Sequence, residues 1–152
     1  MRSIYGEGPT GAQPIVFNSV RGAVKVLLVE DSPGVEKFIR AALTQRLGAG
    51  VRIESKSSLS QALDTLRCHP FHAIIVDFSV SDLQAPDGLA RVGAMAQQFP
   101  VLLLIDQEQT DRLITARDLG IDHWLAKETL TPARLADHVN NALALKDIRK
   151  GN

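Results

Sequence analysis

From Val24 onward the chain alternates between short apolar runs and stretches in which apolar residues recur every three or four positions. The runs are Lys25–Val29, Val51–Ile53, Ala73–Val76, Val101–Ile105 and Trp124–Ala126. Those starting at Val26, Ala73 and Val101 are apolar without a break, as strands are when both faces of a parallel sheet are covered. Between them lie helical stripes: Val35, Phe38, Ile39, Ala42 and Leu43; Leu89, Val92, Met95 and Ala96; and Leu135, Val139, Ala142 and Leu143. Ser32-Pro33 and Thr131-Pro132 each set a capping hydroxyl before a proline suited to the first helical position. Ser58 and Gln61 have the spacing of a capping box. Gly48 and Gly120 follow helical stretches and suit a left-handed stop. The pattern predicts five strands and five helices in strict alternation. Right-handed crossovers then give an α/β, doubly wound five-stranded parallel sheet, (βα)5, with helices on both faces.

Composition narrows the setting. A chain of 152 residues, 45% of them apolar, is the size of one domain with a substantial core. Lys and Arg total 17, as do Asp and Glu. This balance speaks against a broad nucleic-acid footprint or a membrane-surface patch. A single cysteine, Cys68, forms no internal disulfide and no thiolate metal site by itself. No run is long enough to span a bilayer, and the N-terminus carries no apolar stretch of signal-peptide length. A cytoplasmic location is expected. Residues 1–23, rich in Gly and Pro, are expected to be an irregular extension, with the domain proper over residues 24–150.

In an open α/β sheet, ligands bind beyond the carboxyl ends of the strands. Glu30 and Asp31 follow the first run, Asp77 the third and Asp106 the fourth, while Lys127 follows the fifth. Each has an ordinary explanation alone: a helix N-terminal charge, a turn residue, a solvated lysine. Together they crowd one rim with acids that repel one another unless a cation intervenes. Hard oxygen ligands suit Mg²⁺. With a lysine alongside, such a pocket suits a phosphoryl group, and one carboxylate can act as its nucleophile.

The segments Val26–Ser32, His72–Asp77 and Gly120–Lys127 resemble the signature segments of response-regulator receiver domains, which have a flavodoxin-like fold. Pro86–Leu89 resembles the loop after that family's phosphoacceptor. The resemblance covers roughly residues 24–145. It implies that Asp77 accepts the phosphoryl group, that Glu30 and Asp31 hold Mg²⁺ together with Asp77 and a backbone carbonyl of Ser79, and that Lys127 pairs with the phosphoryl group. Trp124 falls where the family keeps a switching aromatic, though a plain core aromatic would sit there equally well. The implied partners are a sensor histidine kinase or phosphotransfer protein, and a downstream protein target or fused output domain. A homodimer is open to it, and direct nucleic-acid or membrane binding is not expected.

Three departures from the family pattern stand out. Ile105 takes the place of a Thr or Ser that would hydrogen-bond the phosphoryl group, and Asp106 follows where a small residue is usual. Glu128 replaces a Pro after Lys127, so a trans, rearranged turn is expected. The loop from Asp77 to Asp87-Gly88 is longer by about three residues than the family pattern. These put the usual switching mechanism in question and keep open a pseudo-receiver: the same fold used for interaction or dimerisation, with little phosphorylation. An unrelated enzyme on the same fold would need a cofactor loop or further catalytic groups, and the sequence offers neither. Gln107 is read as an exposed loop residue near the pocket, and Cys68 as inert packing. His69, His72, His123 and His138 lack metal-ligand spacing.

Overall fold

The computed structural model describes residues 24–151, with side chains through Ala144; the expected extension, 1–23, lies outside the described residues. The elements run β1 (Val24–Val29), α1 (Pro33–Leu47), β2 (Val51–Lys56), α2 (Leu59–Cys68), β3 (Ala73–Asp77), α3 (Gly88–Ala96), β4 (Val101–Ile105), α4 (Leu113–Asp118), β5 (His123–Ala126) and α5 (Pro132–Gly151). Tight 3₁₀ segments at Ser81–Gln84, Gln107–Arg112 and Lys127–Thr129 complete it. All strand pairs are parallel, in the order β2-β1-β3-β4-β5. This is the doubly wound, flavodoxin-like sheet that the alternating pattern predicts. No helix among the described residues is long and apolar enough to cross a membrane.

The three uninterrupted apolar runs became the three central strands, where both faces are covered. The more polar β2 and β5 are the edges. Alternate side chains of each strand feed two separate cores. Leu27, Val29, Ile74, Val76, Leu103 and Ile105 pack under α2, α3 and α4. Val26, Leu28, Ile75, Leu102 and Leu104 pack under α1 and α5. The sequence connections reverse direction between β1 and β3, which opens a crevice at their carboxyl ends. Glu30 follows β1 there, and Asp77 ends β3.

The start and stop signals act largely as read. Ser32 and Thr131 hydroxyls accept from Val35 N–H and Arg134 N–H, and Gly48 and Gly120 take φ of 89° and 96°. Ser58 accepts from Gln61 N–H, but the Gln61 carbonyl returns to Ser57 N–H, one residue earlier than a capping box requires. Two burial readings are corrected. Phe38 is 41% exposed, because it falls on the solvent side of α1, and Cys68 is exposed at the last turn of α2. The loop after β3 holds the Ser81–Gln84 turn, whose Asp82 carboxylate accepts from Leu59 and Ser60 N–H at 2.8 and 2.9 Å. This loop thus caps α2, satisfying donors that a helix leaves orphaned at its first turn.

Candidate functional site

The strand ends bring Glu30, Asp77, Ser79, Asp106 and Lys127 to one place. Asp77 is 0% exposed. Its Oδ2 accepts from Lys127 Nζ at 2.8 Å and its Oδ1 from Ser79 N–H at 2.8 Å. Glu30, 4% exposed, receives Ser32 N–H on Oε2 at 3.0 Å. Its Oε1 is buried and meets no donor. Among the described residues, the buried charged or polar side chains are these two acids alone. Such a pair survives in a low-dielectric site only when protons, cations or hydrogen bonds compensate it.

The compensation is visible in the two carboxyls. Burial, then the neighbouring Asp77, pushes Glu30 up to about 8, against the pull of Ser32 N–H and Lys127. Burial also works to raise Asp77. The Glu30 carboxyl, the Lys127 ammonium and Ser79 N–H outweigh it and hold Asp77 below the usual carboxylate range. Burial lowers Lys127, but Asp77, Asp106 and Glu30 together raise it, so it stays an ammonium.

An outer ring surrounds this pair. Asp106 Oδ1 lies 3.7 Å from Lys127 Nζ, and its Oδ2 accepts from Ser79 Oγ at 3.2 Å. Gln109 Oε1 takes Asp106 N–H at 2.8 Å, while its Nε2 reaches Ser79 Oγ at 3.5 Å. Glu128 Oε2 accepts from Gln107 N–H at 2.8 Å. The described residues contain no cis peptide bond, so the turn after Lys127 is trans, as expected where Glu128 replaces Pro. Gln107 is exposed, and Gln109 is the amide that faces the pocket. Sequence reading missed Gln109. The spacing of Asp106 and Gln109, that of a helix-capping pair, was the available signal.

The remaining expected residues are placed as follows. Asp31 is exposed at the same rim. Ile105 is 1% exposed, its side chain built into the core beneath α2, α3 and α4. Trp124 is 44% exposed on the edge strand, which removes the core reading for it. The carboxylates of Asp106, Glu108 and Glu128 converge within 4.8 Å of one another, a group apart from Glu30, Asp31 and Asp77. At the inner rim, Glu30 Oε1 is a buried acceptor with no donor, and the acids there offer hard oxygens of the kind a divalent cation takes.

The family model of the response regulator receiver domain matches residues 26–140. The chain is 30% identical over 104 residues to the KDP operon transcriptional regulatory protein KdpE of Escherichia coli (strain K12), a stretch covering 67% of this chain and 44% of KdpE. It is 35% identical over 83 residues to the sensor protein TorS of the same organism, 54% of this chain and 8% of TorS. The chain thus spans less than half the length of these relatives. A response regulator receiver domain protein from Clostridium thermocellum superposes with a TM-score of 0.69 at 24% identity, covering 82% of this chain and 98% of that one. Full-length FixJ from B. japonicum gives 0.69 at 20% identity, covering 81% and 59%. At these identities the structural likenesses bear on the fold alone. A family match that begins within β1 and ends inside α5 settles the remaining question, and the chain belongs to the response regulator receiver domains of two-component systems.

Proposed function

We propose that this domain is a working phosphoacceptor, with Asp77 as the nucleophile. The observation that carries the reading is the setting of Asp77: a fully buried carboxylate at the strand-end rim that accepts from Lys127 Nζ and from Ser79 N–H, each at 2.8 Å. A carboxylate oxygen must be ionised to attack phosphorus. In transfer from a phosphohistidine of a kinase or phosphotransfer protein, a bond forms between Asp77 Oδ and phosphorus. The P–N bond breaks, and the imidazole nitrogen leaves with the electron pair. Lys127, already against Asp77, stays beside the phosphoryl oxygens and offsets their charge.

Glu30, Asp31, Asp77 and the Ser79 carbonyl would hold Mg²⁺. When bound, the ion supplies positive charge that stabilises the paired acids and the phosphoryl oxygens. The cytoplasm is the setting in which such partners meet the domain. The output is a changed surface around α4, β5 and α5, read by a downstream protein or a fused output domain.

The competing reading is a pseudo-receiver, favoured by the buried Ile105 and by Asp106 beside the pocket. Intact-mass spectrometry after treatment with Mg²⁺ and acetyl phosphate, together with beryllofluoride binding, separates the two. One added phosphoryl group, lost in Asp77→Asn, supports the working phosphoacceptor. No mass shift and no beryllofluoride binding refutes it.

A further inference from the structure

We propose that Asp106, Ser79 and Gln109 together replace the strand-end hydroxyl that Ile105 lacks: Asp106 closes the pocket in the free domain, the phosphoryl group displaces it, and Ser79 Oγ and Gln109 Nε2 become the donors to the phosphoryl oxygens. This rests on Asp77 as the phosphoacceptor. It starts from the closure of the pocket. Asp77 is 0% exposed, and the groups at its open side are Lys127, Ser79 and, one layer out, Asp106. Ser79 Oγ is the hub of that layer. It donates to Asp106 Oδ2 at 3.2 Å and lies 3.5 Å from both Lys127 Nζ and Gln109 Nε2.

A phosphoryl group adds charge at the one place already shared by two carboxylates and a single ammonium. Glu30 and Asp77 are buried, whereas the Asp106 side chain is 34% exposed. Asp106 is therefore the acid that moves to water at least cost. Its departure frees the Ser79 hydroxyl proton, and the Gln109 amide stays beside it, with Nε2 3.5 Å from Ser79 Oγ. The displacement has a handle on the rest of the domain. Asp106 N–H is held by Gln109 Oε1, and Gln107 N–H is held by Glu128 Oε2. The Gln107–Arg112 turn is thus fixed to the pocket from β4 on one side and from the residue after Lys127 on the other, and α4 begins at the next residue. At its far end the Arg112 guanidinium lies 4.5 Å from the centre of the Phe78 ring, one residue beyond Asp77. Asp106 and Glu128, both departures from the family pattern, hold the same turn.

The test uses the full chain as wild type, Asp106→Asn and Gln109→Leu. Acetyl phosphate labelling is followed by intact mass, and beryllofluoride binding by amide chemical shifts of residues 106–113. Asp106→Asn is expected to label faster, by roughly tenfold for removal of one like charge at this range. In the free state its 107–112 amides should already lie toward their beryllofluoride positions. Gln109→Leu is expected to label but to lose its phosphoryl group several-fold faster. A merely structural role for Asp106 would not speed labelling. Wild-type labelling with Asp106→Asn at the same rate and with the same shifts overturns this inference alone, as does a Gln109→Leu phosphoryl lifetime equal to wild type. No labelling of the wild type overturns both it and the reading of Asp77.

Discussion

Replacing Lys127 with Met keeps an unbranched side chain, one atom shorter, and removes its charge. What it leaves behind is Asp77, fully buried, with Ser79 N–H as its remaining backbone donor and a second acid, Glu30, against it. Removing one partner of a buried ion pair costs about 3–5 kcal/mol. Lys127 is 20% exposed and water can follow it into the rim, so about 2–3 kcal/mol is the expected loss at neutral pH. Asp77→Asn is not the mirror image. It leaves Lys127 paired with Asp106 at 3.7 Å and relieves Glu30 of a charged neighbour, so it should cost less, about 1 kcal/mol or under. The double variant should recover most of the Lys127→Met loss. Urea denaturation in chelator, with midpoints compared at constant slope, measures all three. The pH dependence has a definite sign. Asp77 is held below the ordinary aspartate value of 3.8, so its pairing contributes fully above that value. The contribution fades as pH falls through the folded value, and the Lys127→Met penalty should shrink below about pH 4. Equal losses from Lys127→Met and Asp77→Asn at neutral pH would refute the reasoning, because the charge on Asp77 would then not depend on Lys127.

Three further outcomes are expected. A Cβ at Gly93 would sit 2.8 Å from Leu119 O, and one at Gly88 only 2.2 Å from Leu83 O. Gly93→Ala should therefore lose about 1–3 kcal/mol in urea denaturation and Gly88→Ala more, since backbone must shift in both. Asp82→Asn should cost about 1 kcal/mol through the α2 cap. Burial works to raise Asp82, but Leu59 and Ser60 N–H hold it below the ordinary aspartate value of 3.8; the difference from wild type should therefore hold above that value and vanish as pH falls through the lower folded one. Cys68 should titrate as one accessible thiol per chain in native buffer with a disulfide reagent; no reaction before unfolding would contradict its exposure.

The legible part of the molecule was the part fixed by local pattern. Uninterrupted apolar runs marked three strands as covered on both faces, and the structure places them as the central β1, β3 and β4, with the more polar β2 and β5 at the edges. Strand-end placement alone drew Glu30, Asp77 and Lys127 together, because in a parallel sheet every carboxyl end faces the same rim. Patterns at helix starts were legible to within a residue, as the Gln61 side chain shows by reaching Ser57 rather than Ser58. Phe38 was misjudged because a helical stripe is wider than the face that a sheet covers, and Cys68 because the last turn of α2, where it sits, is exposed.

What stayed hidden depends on loops meeting across the fold. Asp82 caps a helix 23 residues upstream, and Gln109 reaches Ser79 from 30 residues downstream. Neither spacing leaves a periodic trace, since loop contacts are set by how the strands are ordered rather than by neighbours in sequence. The same separation explains why Ile105 and Asp106 read as defects when taken in isolation. A strand-end hydroxyl acts through its own side chain. Here the apolar Ile105 completes the core under α2, α3 and α4, and the polar duty can move outward to a side chain that core packing does not constrain. Asp106 is the next residue; Ser79 and Lys127 converge on it from two other segments, and Gln109 from the turn that Asp106 begins. If Asp77 takes a phosphoryl group as proposed, the departure that removes a donor from the strand is met by those loop contacts, and the test of readout falls on Ser79 and on the 106–112 segment rather than on the sheet.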